Sequence, residues 1–342
     1  MDKRKIIYNA VAGSGKTTAI IDKLNEKERS LVLTYTNNNE KELISRIIMK
    51  FGYIPENIVV KKVYSFLYSF CLKPYLPIDF EINGITYKTP NHFKYKSDNI
   101  SYYLNSNKFI YNNKISKFIL FNEIDFIGRL NKFFDNVFID EFQDLSSDEI
   151  NIAFKLIEFS GNVYLYGDFF QTTYSTSIRG NTNKSMKIKI DNFLKGYKSN
   201  GYEINTNEFI FSKRCPQSVT QFITNKLQID MKSHTSEKHE INLLTEIDKI
   251  KNIMENDNIP KLFYQKANQY LGYSMNWGES KGLTFEDVCV VLNRSTFEKY
   301  NKDKLNELAP LTKNKFYVAC TRTSRNLYFI EESKLLLYKK NI

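Results

Sequence analysis

The sequence predicts an α/β protein of two domains built on parallel sheets, the first domain carrying a small insertion. Three observations predict it. Short apolar runs alternate with helical spacing between Ile6 and Phe66; a glycine-rich turn, AVAGSGKTT at Ala10 to Thr18, joins the first such run to the first helix; and a polar tract near Gly180 to Asn207 separates this region from a second, similar one. At 342 residues, with 42% hydrophobic and 25% charged residues, the chain is long enough for two cores of ordinary composition.

Taken in order, Ile6-Ile7-Tyr8 reads as a strand, and Thr18 to Ile21 with Leu24 reads as a helix. Ser30 to Tyr35 is a buried strand, followed by a helix whose apolar face is Leu43, Ile44, Ile47, Ile48 and Phe51. Asn57 to Val63 is a third strand, leading into Tyr64-Ser65-Phe66. Strand, helix, strand, helix in this rhythm implies a parallel sheet with both faces covered. From about Lys73 to Gly128 the pattern weakens under Pro74, Pro77 and Pro90, and this stretch is read as the insertion.

Order returns with the strand Asn136 to Asp140. Ser146 and Glu149 then stand at capping-box spacing before a helix that buries Ile150, Phe154, Leu156 and Ile157. Val163 to Tyr166 is the next strand. The second domain begins at Glu208 to Phe211, and Pro216 sits at the first turn of a helix with Val219, Phe222, Ile223 and Leu227 on one face. Residues 228–260 read as charged surface. Asp287 to Leu292 is a buried strand, Lys315 to Arg322 a helix end, and Asn326 to Ile330 a closing strand. The expected boundaries are therefore 1–205, with the insertion at about 73–128, and 206–342.

Net charge is +11, which favours a polyanionic partner. The 23 Tyr and 26 Phe belong mostly to cores, although some can stack on bases. Cys71, Cys215, Cys289 and Cys320 are scattered, with no spacing suited to zinc or a disulfide framework, and His234 and His239 lie in charged sequence. No apolar run approaches about 18 residues and no signal-peptide pattern follows Met1, so a soluble cytoplasmic protein with no membrane partner is expected.

The chemistry begins at the glycine-rich turn. Ala12, Gly13, Ser14, Gly15 and Thr18 form a loop whose backbone N–H groups can curl around a triphosphate. Lys16 can reach its outer phosphates and the Thr17 hydroxyl can hold Mg²⁺. Asp140 and Glu141, at the end of an apolar strand, supply what such a loop needs next: one carboxylate for the Mg²⁺ shell and one to orient and deprotonate water. Gln171, after the next strand, can sense the terminal phosphate. Arg214 and Arg322, far away in sequence, can neutralise charge on the transferring group.

The order of these motifs carries a resemblance. AVAGSGKTT, LVLTYTN, VYSF, FIDEFQD, YGDFFQTTY, SKRCPQSV, SKGLTFEDV and FYVACTRTSRNL resemble the successive motifs of superfamily 1 helicases, and DEFQD and YVACTR are close to the forms found in the UvrD/Rep group. The resemblance implies two RecA-like domains, hydrolysis of Mg²⁺-ATP at their interface, and single-stranded nucleic acid as partner, DNA ahead of RNA. By the same resemblance Lys16, Thr17, Asp140, Glu141, Gln171, Arg214 and Arg322 are nucleotide and Mg²⁺ residues, and Gly282 belongs to a motif that couples nucleotide to nucleic acid. Tyr35 meets a base, while Thr36, Asn37 and Ser65 lie near the strand backbone.

Several departures bear on that expectation. Ala10 replaces the usual first glycine, and the loop lies too near Met1 for the upstream glutamine motif that reads adenine, so the choice of nucleotide base is open. Ser175, Thr176 and Ser177 intervene before Arg179-Gly180 where the family has a stacking aromatic. Thr284 stands in the place of a glutamate, with Glu286 nearby. Pro216 and Ser280 are too close for the large accessory domain of UvrD/Rep enzymes, and RCP, KGLTF and the compact size also resemble viral and accessory branches of the superfamily. The alternative expectation is an ATP-gated regulatory subunit acting with a protein partner such as a nuclease, without unwinding duplexes itself.

Overall fold

The computed structural model describes residues 3–89, 95–172 and 182–340. The interval from Ser175 to Gly180, on which the altered stacking motif falls, lies outside the described residues. The chain divides into two compact units. The first comprises Met1–Tyr8, Thr17–Gly167 and Thr176–Asn205; the second comprises Asn9–Lys16, Asp168–Ser175 and Thr206–Ile342.

In the first unit, strands run in the order Ile58–Lys62, Ser30–Thr34, Asn136–Asp140, Asn162–Gly167, Lys5–Asn9, Glu203–Asn205. The registered pairs are parallel. Leu31, Val32, Leu33, Val137, Phe138 and Val163 are almost completely buried, as continuous apolar strands covered on both faces must be. The helix Asn37–Phe51 starts where the Thr36 hydroxyl accepts from the Asn39 N–H. It stops at Gly52, whose φ of 82° lets its N–H reach back to the Ile48 carbonyl.

The region expected to be a weakly patterned insertion is well furnished with structure. Gly84–Thr86 pairs in parallel with Phe109–Tyr111, Ile115–Phe121 is a helix and Phe126–Phe133 is another that runs past the region's expected end, while the π-helical turn Phe66–Leu72 lies just before the region. Its cohesion is aromatic: Phe118 packs edge-on to both Phe80 and Tyr103, and Phe70 contacts Phe66 and Phe134. Periodicity missed these helices because each is only seven or eight residues, about two turns, too short for an apolar repeat to stand out.

The second unit has its own parallel sheet, in the order Ile241–Leu244, Leu327–Glu331, Val288–Leu292, Lys261–Phe263, Ser274–Asn276. Its core gathers Trp277, Val290, Phe316 and Phe329 with Val219, Ile223 and Leu227 from the helical segment after Pro216. Residues 228–260, read from sequence as charged surface, include the edge strand Ile241–Leu244 and the helix Ile247–Glu255, which buries only Ile250 and Met254. An edge strand with a single buried residue leaves little apolar signal. Among the described residues, no helix is long and apolar enough to cross a membrane.

Candidate functional site

In the first unit the strand Asn136–Asp140 is buried along its whole length, so its terminal carboxylate emerges at the carboxyl edge of the sheet, where parallel α/β folds place their ligands. The Thr17 hydroxyl donates to Asp140 Oδ2 at 3.2 Å. Glu141 turns the chain through the left-handed region at φ 56°, with its N–H on Asp140 Oδ1 at 3.0 Å and its carboxylate accepting from the Gln143 amide. Thr18 Oγ1 accepts from Arg46 at 3.1 Å.

Residues expected near nucleic acid lie in the same unit. The Tyr35 hydroxyl donates to Glu149 Oε2 at 2.9 Å, Thr36 caps its helix, and Asn37 Oδ1 accepts from Lys62 Nζ at 2.7 Å. The Ser65 carbonyl accepts from the Ser69 hydroxyl at 2.5 Å, inside the turn that begins the π-helical segment.

Glu149 is half-buried as a residue, but its carboxyl is enclosed. It accepts from the Ser146 N–H at 2.9 Å and the Ser146 hydroxyl at 3.1 Å, the pair that capping-box spacing had marked. Burial pushes this carboxyl up to about 7 against the pull of Ser146 and Lys187.

The second unit holds the loop as far as Lys16. Gly13 adopts φ 71°, and a Cβ there would fall 2.6 Å from Arg214 Cβ and 2.9 Å from Ser212 Oγ, so only glycine fits. The Lys213 N–H donates to the Gly13 carbonyl at 2.8 Å, and the Lys213 side chain lies over Gly15. Ser14 Oγ is buried without a hydrogen-bond partner among the described residues, and Lys16 is also buried.

Ala12 differs from its neighbours in the expected phosphate set, because its N–H is committed to the Tyr317 hydroxyl at 2.9 Å. That hydroxyl donates to Asp168 Oδ2 at 2.9 Å, and the same oxygen accepts from the Gln171 amide at 2.8 Å. Burial and the neighbouring Asp168 raise the Tyr317 phenol well above its ordinary range, so it stays a donor. Tyr317 and Asp168 were not singled out from sequence, although both lie inside quoted motifs, FYVACTR and YGDFFQ. What marks them is a buried hydrogen-bond chain between segments distant in sequence.

Arg322 is 1% exposed, yet among the described residues none of its hydrogen bonds goes to a carboxylate. Nε donates to the Val318 carbonyl at 2.9 Å, Nη1 to the Leu283 carbonyl at 3.3 Å, and Nη2 to Thr321 Oγ1 at 3.3 Å. Burial first, then the nearby Arg214, bring its guanidinium down to about 10. Arg214 Nη1 donates to the Thr321 carbonyl at 3.3 Å. Gly282 turns at φ 86° in open space, one residue before the carbonyl that Arg322 engages. Glu286, which stands near the altered Thr284, forms an ion pair with Arg325 at 3.2 Å.

These observations fit a triphosphate. An orphaned hydroxyl in the loop, a glycine against which nothing larger fits, and a buried cation held by carbonyls are all features an anion would complete. Thr17 and Asp140 offer two oxygens, the sparse protein contribution that Mg²⁺ needs when phosphates and water complete its shell. Among the described residues no cluster of three or more His, Cys, Asp and Glu could hold a metal by itself. All four cysteines are free and buried. Burial raises every thiol, and none lies in the setting of a nucleophile.

Residues 124–331, more than half of the chain, match the family model described as the viral superfamily 1 RNA helicase core domain. Among solved structures, arterivirus nonstructural protein 10, a helicase, in complex with DNA is similar at TM-score 0.51 and 14% identity, over 95% of this chain and 60% of that one. The same arterivirus protein in a second structure gives TM-score 0.50 and 13% identity, over 99% and 62%. This chain thus spans about 60% of the length of those structural relatives, and at such identity the likeness is one of fold. Among curated proteins, none matches the sequence.

Proposed function

This chain belongs to the family of viral superfamily 1 RNA helicase core domains, and from that membership we propose that it is an ATP-driven motor on single-stranded nucleic acid. The observation that carries the ATP part is Arg322, a buried guanidinium none of whose hydrogen bonds goes to a carboxylate among the described residues, near Arg214 and in the same unit as Gly13 to Lys16 of the phosphate loop. In this reading 1–205 and 206–342 are RecA-like domains, with 73–128 as the insertion of the first. In this reading DEFQD and YVACTR favour a UvrD/Rep-like pattern within the superfamily.

The loop from Gly13 to Thr18 binds the phosphates through backbone N–H groups, and Lys16 neutralises the outer ones. Thr17 and Asp140 hold Mg²⁺, which when bound offsets phosphate charge. Glu141 orients a water and takes its proton; Gln171, fixed by Asp168, senses the terminal phosphate; Arg214 and Arg322 stabilise the charge that develops on the leaving side. Tyr35, Thr36, Asn37 and Ser65 meet the strand, and Gly282 lies in the segment that couples strand to nucleotide.

The test is nucleotide hydrolysis with Mg²⁺, alone and with single-stranded DNA, single-stranded RNA and duplex. Turnover stimulated by a single strand is expected, and no turnover by a folded chain in any of these conditions would overturn the reading. A screen of ATP against the other nucleoside triphosphates addresses the choice of base. The stretch from Gln217 to Ser280 is occupied by the second unit's own strands and helices, which favours a second reading: an ATP-gated subunit that serves a protein partner such as a nuclease. Strand separation by the isolated chain argues against that reading, and unwinding only with a partner present supports it.

A further inference from the structure

Within the insertion, two lysines converge on one tyrosine, and none of the nucleotide chemistry uses them. Lys114 Nζ stands over the Tyr102 ring, 3.7 Å from its centroid. Lys117 Nζ lies 5.0 Å from the same centroid and donates to the Tyr102 hydroxyl at 3.5 Å. Lys114 immediately precedes the helix Ile115–Phe121 and Lys117 lies on its first turn, a spacing that brings both ammonium groups to one ring. Lys114 is only 5% exposed, whereas Lys117 and Tyr102 are half-buried. Asn112, Asn113 and Ser116 of the same stretch line a cavity of about 300 Å³ with Tyr35, the segment around VYSF and the turn from Ser146 to Glu149, but neither lysine is among its walls.

Neither lysine has a carboxylate. Among the described residues Lys114 and Lys117 make no ion pair, although Lys108, also in the insertion, pairs with Glu81. A ring face offsets part of the cost of burying one ammonium, but a neutral phenol cannot neutralise two, and the two repel each other. Two adjacent phenols record the local field. Burial, then Tyr102 and the acids Asp148 and Asp98, push Tyr103 up to about 12. Burial would raise Tyr102 as well, yet Lys114 first and Lys117 after it bring its phenol below the ordinary range. The acids thus act on Tyr103, and the cations on Tyr102.

We propose that Lys114, Lys117 and the Tyr102 hydroxyl hold one phosphate group, carried by a nucleic-acid strand or free in solution. The ammonium groups supply the charge, and the hydroxyl donates to one oxygen. Two point charges on flexible stems impose no plane, which suits a tetrahedral oxyanion. The site lies wholly in the insertion and goes beyond the motor reading.

Lysine footprinting of the native chain tests it. The protein is acetylated with an N-hydroxysuccinimide ester in chloride, in inorganic phosphate at equal ionic strength, with oligothymidylate, and with the uncharged methylphosphonate analogue of that strand. Mass spectrometry reads the rate at each lysine. Phosphate or oligothymidylate should slow acetylation of Lys117 about fivefold, and the methylphosphonate analogue should not. Protection by oligothymidylate alone assigns the phosphate to a strand, and protection by inorganic phosphate assigns it to a free anion. Lys114→Gln should abolish the protection of Lys117, while Lys114→Arg should keep it; a cluster that only packs would show no protection in the native chain. Acetylation of Lys117 at the chloride rate with both phosphate probes, or protection by oligothymidylate that its methylphosphonate analogue matches, would overturn the inference. ATP turnover by the same preparation is read separately, so the motor reading stands or falls apart from this site.

Discussion

The phosphate loop and the Tyr35 cavity satisfy their polar groups in opposite ways. Around the loop, Ala12, Tyr317, Asp168 and Gln171 form a closed chain of hydrogen bonds, and Arg322 is buried among carbonyls. Ser14 Oγ is left without a partner among the described residues and no hydrogen bond of Arg322 goes to a carboxylate there, so the loop is suited to an anion. Around Tyr35 the polar groups line an open space, and one enclosed carboxyl, Glu149, is held near 7. The loop region carries Lys16, Arg214 and Arg322, whereas Asp148 and Glu149 line the cavity. Substitutions should therefore act on turnover in the first and on the pH dependence of stability in the second.

The largest effect is expected at the loop. Lys16→Ala should lower ATP turnover on the order of a thousandfold, and Arg322→Lys, which keeps a charge but loses the planar fork, should also lower it severely. Steady-state hydrolysis checks both, and substantial residual turnover would remove these residues from their roles.

The next effect is at the cavity. A carboxyl whose folded value is raised from 4.5 to about 7 favours the folded state below 4.5, and that advantage is lost as pH climbs through 7. The native chain should thus lose up to about 3 kcal/mol relative to Glu149→Gln between those limits, the bound set by about 1.4 kcal/mol per unit. Ser146, Lys187, Asp144 and Tyr35 face this carboxyl. Chemical denaturation of both proteins across this range measures the difference, and parallel pH curves would show that the carboxyl titrates normally.

A smaller effect separates the hydrogen-bond chain from mere packing. Tyr317→Phe leaves the Ala12 N–H and Asp168 without their shared partner and should destabilise the protein by about 1–3 kcal/mol. If the chain also positions Gln171, turnover should fall about tenfold with little change in KM, whereas a purely structural role would lower stability alone. Tyr35→Phe should be the mildest, at about 1 kcal/mol in thermal unfolding, because the ring remains in place while the hydroxyl's hydrogen bond to Glu149 is lost.

Local pattern made some features legible and hid others. The sheet strands of the first unit could be read because parallel strands buried on both faces are continuous apolar runs, as at Leu31 to Leu33 and Val137 to Ile139. Glycine at 13 and the acids at 140 and 141 stand at element junctions, where residue type and spacing already imply chemistry. The strand Ile241–Leu244 and the helix Ile247–Glu255 escaped because edges and outer layers bury little. Glu149 was legible only as a helix-capping residue. That its carboxyl is enclosed, and that Tyr35 donates to it, follow from packing between segments more than a hundred residues apart.

By itself the sequence determined the α/β class, the phosphate loop and the order of motifs that resembles superfamily 1 helicases, because each depends on neighbours in the chain. Only the tertiary structure decided that the Ala12 N–H goes to Tyr317, that Arg322 is buried with its hydrogen bonds on carbonyls and a hydroxyl, and that four separated segments line a cavity beside Tyr35. The reason is physical: burial, hydrogen-bond partnership and the pKa of an enclosed group depend on what folding brings close, and one-dimensional spacing does not encode that distance.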